Sequence, residues 1–110
     1  MHNGTPGGLA LHHSTVDAAA ERGLRVVMCA RPGYQGSDPQ PGRTVADVAG
    51  DVAAVLGELG AETFVTAGWS GGGPHALACA ALLPGRCLAA ATIAGAAASC
   101  GEQWRSWVAR

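Results

Sequence analysis

Aromatic residues and charges are scarce in this sequence. Of its 110 residues, 5% are aromatic and 14% are charged, and the formal net charge is −1, with acidic and basic residues scattered singly. Without a basic stripe or a polybasic cluster, neither nucleic acid nor a membrane surface is an expected partner. The longest apolar run, residues 87–98, is too short and too rich in alanine to span a bilayer. No secretory signal opens the chain, which predicts a cytoplasmic location.

The four cysteines, at positions 29, 79, 87 and 100, match no metal-binding pattern. They include no C-x-x-C pair and no Cys/His spacing typical of zinc. Three of them lie inside apolar segments, as the reduced, buried cysteines of a cytosolic protein do. We therefore expect neither a disulfide framework nor a metal.

Helical and strand-like patterns alternate along the chain. Strands are predicted where apolar residues run together, at 24–30, 63–67 and 87–93, and helices at 9–22, 44–59 and 74–83. Thr44 followed by Asp47 is close to the capping box of a helix start. The alternation predicts an α/β fold of βαβ units, with a mostly parallel sheet and helices on both faces.

Residues 68–72, with the sequence GWSGG, place a serine between a predicted strand and a predicted helix. A serine on so tight a turn has a strained backbone, and glycines two residues to either side avoid a steric clash. Ser70 then stands at a helix N-terminus, where free N–H groups such as that of Gly71 favour a developing negative charge. The pattern and its position between a strand and a helix indicate a nucleophile. The residue types alone also fit a glycine-rich helix start in which the serine has no chemical role.

Three motifs resemble the bacterial α/β-hydrolase family. Residues 68–78 (GWSGGGPHALA) are similar to its nucleophile elbow and the helix that follows. Residues 31–38 (RPGYQGSD) resemble the loop after its fourth strand, and residues 2–7 (HNGTPG) its H-G-x-P-G oxyanion loop, with Asn3 as an insertion. The motifs occur in family order. The resemblance implies a partial α/β-hydrolase fold, truncated at both ends.

The resemblance implies roles for individual residues. Ser70 is the catalytic nucleophile, and the backbone N–H groups of Gly71 and Thr5 form the oxyanion hole, with Gly4 as the neighbouring candidate for the position of Thr5. His2 is implied to position its loop and not to act as the base. Neither an organic cofactor nor a metal is implied.

In the loop of residues 31–38, the resemblance implies a supporting role. Gly33 and Gly36 are expected to be turn glycines. Tyr34 is expected to pack within the loop rather than contact the substrate.

The histidine base and the carboxylate that orients it cannot be named in this sequence. The family order is Ser, then Asp or Glu, then His, yet His75 is the only histidine after Ser70 and Glu102 the only acidic residue. His75 lies on the predicted nucleophile helix, where we expect it to pack or to face solvent. Glu102 stays open as a triad acid, although residues 101–110 fit better as the start of a lid.

The expected organisation is a partial hydrolase core over residues 1–100 and the start of a lid or cap segment over residues 101–110. The expected function is hydrolysis of an ester, amide or related bond in a small molecule through a covalent Ser70 intermediate. The chain is expected to be an incomplete piece that lacks the triad acid and histidine and is inactive in isolation. The alternative is a non-catalytic remnant that acts as a binding or assembly module, because open sheet edges favour self-association.

Overall fold

A computed structural model describes residues 1–95 of the chain. Within this part the helices and strands follow the order α1 (His13–Ala20), α2 (Val48–Glu58), β1 (Phe64–Trp69), α3 (Gly73–Leu82) and β2 (Cys87–Ile93). Short 3₁₀ turns precede α2 and join β1 to α3, at Val45–Asp47 and Ser70–Gly72. None of the helices described combines the length and apolar character that crossing a membrane requires.

Strands β1 and β2 lie side by side and parallel, with α3 as the crossover between them. Their register pairs Phe64 with Cys87 at one end and Trp69 with Ile93 at the other, with one irregularity after Phe64. Parallel neighbours cannot be joined by a tight turn, so the helix is what allows this pairing. The arrangement is a βαβ unit, and it confirms the predicted α/β class with a parallel sheet.

The first residues of the chain run along the other edge of β1. His2 forms a parallel bridge with Gly68. The N–H of His2 donates to the carbonyl oxygen of Ala67 at 2.8 Å, and the N–H of Trp69 donates to that of His2 at 3.0 Å. This pairing brings the loop that follows His2 to the carboxyl end of β1.

Helix α3 forms the centre of the core. It packs against both strands and against α2, and its Ala76 and Cys79 are fully buried. Small residues allow a close approach to the sheet: a Cβ atom on Gly73 would stand 3.0 Å from the Cα of Gly95. Helix α2 contributes three buried side chains, those of Val48, Ala49 and Leu56.

The elements predicted around the serine are confirmed. Strand β2 has the predicted bounds, β1 and α3 differ from theirs by one or two residues, and the segment predicted to be helical at 44–59 forms a 3₁₀ turn followed by α2. The capping interaction is present: the Asp47 carboxylate accepts hydrogen bonds from the N–H of Thr44 at 2.6 Å and from its hydroxyl at 2.8 Å.

The strand predicted at residues 24–30 is wrong, because these residues form no strand. Their apolar side chains suit a buried strand, but a strand exists only as part of a hydrogen-bonded ladder. Their backbone instead makes isolated bonds. The Met1 amino group donates to the carbonyl oxygen of Val27 at 2.8 Å, the Ser37 hydroxyl donates to that of Ala30 at 3.1 Å, and the N–H of Leu24 donates to the carbonyl oxygen of Ala19 at 2.9 Å. Leu24 accordingly stays 49% exposed.

Helix α1 is shorter than the predicted helix at 9–22. It begins only at His13, and in the segment before it the N–H of Leu9 donates to the side-chain oxygen of Gln35. None of the residues of α1 is buried. The predicted lid segment, residues 101–110 with Glu102, lies outside the described residues.

Candidate active site

Ser70 occupies a sharp turn between β1 and α3. Its backbone has a φ of +49°, in the left-handed region that non-glycine residues seldom adopt. The strand ends at Trp69, a single 3₁₀ turn follows, and α3 begins at Gly73. Such strain persists only where the surrounding structure enforces it, and it is concentrated at functional sites.

The glycines on either side of Ser70 are required by close backbone contacts. A Cβ atom on Gly68 would overlap the carbonyl group of Gly72 and stand 2.8 Å from the backbone nitrogen of Gly73. A Cβ atom on Gly72 would overlap the carbonyl of His2 and stand 2.7 Å from that of Asn3. The G-x-S-x-G spacing thus follows from how tightly the turn folds on itself and against the N-terminal loop.

The N-terminal loop brings Gly4 and Thr5 against the serine turn. A Cβ atom built on Gly4 would lie 3.2 Å from the Cβ and 3.6 Å from the Oγ of Ser70. One built on Gly71 would lie 3.2 Å from the backbone nitrogen of Thr5 and 2.8 Å from its Oγ1. The structure therefore places Ser70, Gly71 and Thr5 together, and Gly4 faces Ser70 so closely that a side chain at position 4 would meet that of the serine. Asn3 closes the loop by donating from its side-chain amide to the carbonyl of Gly8.

Comparison with known proteins identifies the family of this chain. A family model described as the alpha/beta hydrolase fold matches residues 1–110. The chain belongs to the α/β-hydrolase family. Searches of curated proteins and of solved structures gave no match. The strained serine stands on a sharp turn from strand to helix, between β1 and α3.

Within this α/β-hydrolase, the loop of residues 31–38 supports the N-terminal loop through Arg31. The Arg31 guanidinium donates hydrogen bonds to the carbonyl oxygens of Asn3 and Gly4 and to Thr5 Oγ1. Tyr34 packs its ring beneath that guanidinium, 5.5 Å from the centroid to Cζ. It therefore packs within the loop, as predicted. The two predicted turn glycines, Gly33 and Gly36, have φ values of +83° and +84°.

His2 is buried beneath the N-terminal loop, with 9% of its surface exposed. Its Nε2 lies 3.7 Å from the Sγ of Cys79, and its ring stacks on that of His75 with centroids 6.1 Å apart. Burial, together with the positive charges of the N-terminus, His75 and Arg31, lowers the pKa of His2 from 6.5 to about 3. Burial raises the pKa of the Cys79 thiol. Both groups are therefore uncharged, and His2 packs as a neutral imidazole against a neutral thiol, which gives it a structural role.

His75 holds the turn that follows the serine. Because a carbonyl oxygen only accepts, the contact of 3.1 Å between His75 Nδ1 and the carbonyl of Gly71 is a donation by the ring N–H. Burial lowers the pKa of His75, with a further contribution from Arg31 and an opposing one from the bond to Gly71. Neither His75 nor His2 is hydrogen-bonded to the Ser70 hydroxyl.

Arg31 is the residue of this site whose role sequence reasoning missed. The motif of residues 31–38 predicts turn glycines and a packing tyrosine, and the arginine at its start is the one signal in the sequence for this role. A shallow pocket lined in part by His2, Met28, Arg31 and Tyr34 lies behind the N-terminal loop, and Ser70 does not line it. Among residues 1–95, His, Cys, Asp and Glu side chains nowhere gather in a group of three that could hold a metal ion.

Proposed function

We propose that this chain is the nucleophile-bearing part of a serine hydrolase that cleaves an ester, amide or related bond of a small molecule. The observation that carries the proposal is the left-handed backbone of Ser70, at the end of a parallel strand and beside the loop of Gly4 and Thr5. A simple helix entry does not require that conformation, which costs free energy at a residue other than glycine. The conformation lifts a hydroxyl clear of the sheet edge, where a substrate can reach it.

In the proposed reaction, the Ser70 oxygen attacks the carbonyl carbon while a base takes the hydroxyl proton. The carbonyl electron pair moves to the oxygen, which the backbone N–H groups of Gly71 and Thr5 stabilise, each by about 3 kcal/mol in the transition state. The tetrahedral species collapses, the bond to the alcohol or amine breaks, and the base returns its proton to that leaving group. Water then hydrolyses the acyl-serine by the same steps.

The base and the acid of the triad are proposed to come from outside these 110 residues. The two histidines near the turn are both engaged elsewhere, His2 with Cys79 and His75 with the carbonyl of Gly71. Burial also lowers the pKa of both rings. Since no other histidine follows Ser70 in the sequence, a complete triad requires a histidine from outside these residues.

We also propose that the enzyme is cytoplasmic and needs no cofactor.

A comparison of serine variants tests the nucleophile. In the protein expressed from its complete open reading frame, we expect Ser70→Ala to reduce turnover of a short-chain p-nitrophenyl ester by at least about 10³-fold. Ser14→Ala, in the exposed helix α1, is the matched control and should keep the wild-type rate. Unchanged turnover in Ser70→Ala would remove the serine from the mechanism.

The second candidate is a non-catalytic binding or assembly module. It is favoured by apolar side chains left uncovered on the sheet, since Val65, Trp69 and Leu88 are 52%, 53% and 69% exposed. Exposed apolar strands at an open sheet edge favour association with another chain, including a second copy. This candidate predicts a stable assembly in sedimentation velocity together with no ester turnover above that of Ser70→Ala. Serine-dependent turnover would exclude it.

A further inference from the structure

The side chain of Arg31 joins two loops that are far apart in sequence. Its Nη1 donates to the carbonyl oxygen of Asn3 at 2.7 Å. Its Nη2 donates to the carbonyl oxygen of Gly4 at 3.2 Å and to Thr5 Oγ1 at 3.1 Å. The planar guanidinium presents its donors in a rigid fork, so it can hold several acceptors in one fixed arrangement. Three consecutive residues of the loop beside Ser70 are thus held by one side chain.

Each of the two carbonyls shares a peptide plane with the N–H of the next residue. The carbonyl of Asn3 shares its plane with the N–H of Gly4, and the carbonyl of Gly4 shares its plane with the N–H of Thr5. Because a trans peptide group is planar, fixing the direction of the C=O also fixes the opposite direction of the N–H. A cationic donor on the oxygen also polarises the group and strengthens the N–H as a donor.

We propose that Arg31 is a positioning residue for the oxyanion hole, which orients and polarises the peptide groups of Gly4 and Thr5 beside Ser70. The inference rests on the proposed function, in which the N–H of Thr5 is the second oxyanion donor. Arg31 touches neither the serine nor the substrate carbonyl in this account. It acts only through the backbone of the loop.

The composition of the loop explains why such a clamp is needed. Glycine has the most backbone freedom to lose, and residues 4–8 contain three glycines. One internal bond, from the N–H of Gly7 to the carbonyl of Gly4 at 2.8 Å, closes the turn. Arg31 is itself held, with its guanidinium 5.5 Å from the centroid of the Tyr34 ring. A half-buried, charge-assisted clamp therefore supplies the order that the loop sequence lacks.

Arg86 offers a matched control. Like Arg31 it has three acceptors, in this case all backbone carbonyls, those of Ala53, Ala61 and Glu62, at 3.4, 2.8 and 3.0 Å. These carbonyls belong to α2 and to the segment before β1, not to the loop beside Ser70. Removing either guanidinium frees three acceptors, so Arg31→Met and Arg86→Met should lose comparable stability. They should differ only in catalysis.

The test uses the protein from the complete open reading frame and a short-chain p-nitrophenyl ester. For Arg31→Met we expect kcat to fall about 10- to 100-fold, less than the 10²- to 10³-fold typical of a deleted oxyanion donor. KM should stay within about twofold, because the clamp acts on the transition state. The inhibition constant of a trifluoromethyl ketone, which forms a tetrahedral adduct with the serine, should rise in parallel. Arg86→Met should keep wild-type values of all three.

The variant Arg31→Lys separates the clamp from the charge. A lysine keeps the positive charge but lacks the planar fork, so it should recover only part of the lost kcat. Full activity in Arg31→Lys, or wild-type kcat in Arg31→Met, would overturn the inference. An equal loss of kcat in Arg86→Met would also overturn it, because the effect would then come from stability. If Arg31→Met does not fold, the kcat and inhibition constant of Arg31→Lys test the inference alone. Values between wild type and a deleted oxyanion donor support it, and wild-type values overturn it.

The proposed function fails in a different way. If Ser70→Ala turns over the ester at the wild-type rate, the serine mechanism is wrong, whatever Arg31 does. If Ser70→Ala is inactive and Arg31→Met behaves as Arg86→Met does, only the inference about the clamp is wrong.

Discussion

At Ser70 the backbone turns into the left-handed region, and the packing around that one residue determines which neighbours it can have. Gly68 and Gly72 lie so close to other backbone groups that a side chain at either position would push those groups out of place. The contacts are with peptide groups rather than with flexible side chains, so they cannot be relieved by a change of rotamer. The two glycines serve the geometry of the turn, and the chemistry is left to the serine between them.

The substitution Gly68→Ala tests this reading of the turn. We expect it to lower the free energy of unfolding by about 2–4 kcal/mol, because the new Cβ must push the carbonyl of Gly72 out of the turn. Gly50→Ala is the control. Gly50 lies in α2 with open space around it, so alanine should raise stability by about 0.5–1 kcal/mol through helix propensity. Urea unfolding measures both, and equal effects of the two substitutions would contradict the account.

The buried histidine His2 should make stability depend on pH. Burial lowers its pKa from 6.5 to about 3, so between these values the unfolded chain binds a proton that the folded chain does not. Acid therefore favours unfolding, and the free energy of unfolding should rise as the pH increases from about 3 to about 6.5, and then level off. The lowered pKa of His75 acts in the same direction.

Urea midpoints measured across this pH range check the role of His2. In His2→Gln the slope against pH should become shallower, whereas His13→Gln, in the exposed helix α1, should keep the wild-type slope. A slope unchanged by His2→Gln would show that His2 is protonated equally in the folded and unfolded chains.

At the scale of elements, the βαβ unit around the serine was predictable because its signals are local. Strand β2 is a short apolar run, α3 opens with Pro74 near its first turn, and α2 follows a capping pair. Residues 24–30 carry the same kind of apolar run as β2 yet form no strand. Whether such a run becomes a strand depends on which neighbours supply a ladder, and no local pattern contains that information.

The packing of α3 gives a prediction for the βαβ unit. Ala76 is fully buried where α3 meets the sheet and α2, whereas Ala81 lies on the exposed side of the same helix. Ala76→Leu should lower the free energy of unfolding by about 1–3 kcal/mol, because the core has no space for three more carbon atoms. Ala81→Leu should change it by less than about 0.5 kcal/mol. Chemical denaturation of the two variants compares them directly, and a tolerated Ala76→Leu would mean that α3 packs loosely.

At the scale of the whole molecule, the sequence motifs predict only some of the residues that form the candidate site. Sequence reasoning named Ser70, Gly71 and Thr5 because they lie in recognisable motifs, and the structure brings these three together. It missed the clamp by Arg31, whose partners Asn3 to Thr5 lie 26 to 28 residues away in sequence. A hydrogen bond across that separation depends on how two loops meet, which composition and periodicity do not encode.

The central claim is that Ser70 is a reactive nucleophile, and covalent labelling tests it most directly. The protein from the complete open reading frame is treated with a fluorophosphonate, which bonds to activated serines, and its peptides are mapped by mass spectrometry. The account predicts a phosphonyl adduct on Ser70, none on the exposed Ser14, and no adduct in Ser70→Ala. Ester turnover that persists without labelling of Ser70, or an adduct that survives in Ser70→Ala, would contradict it.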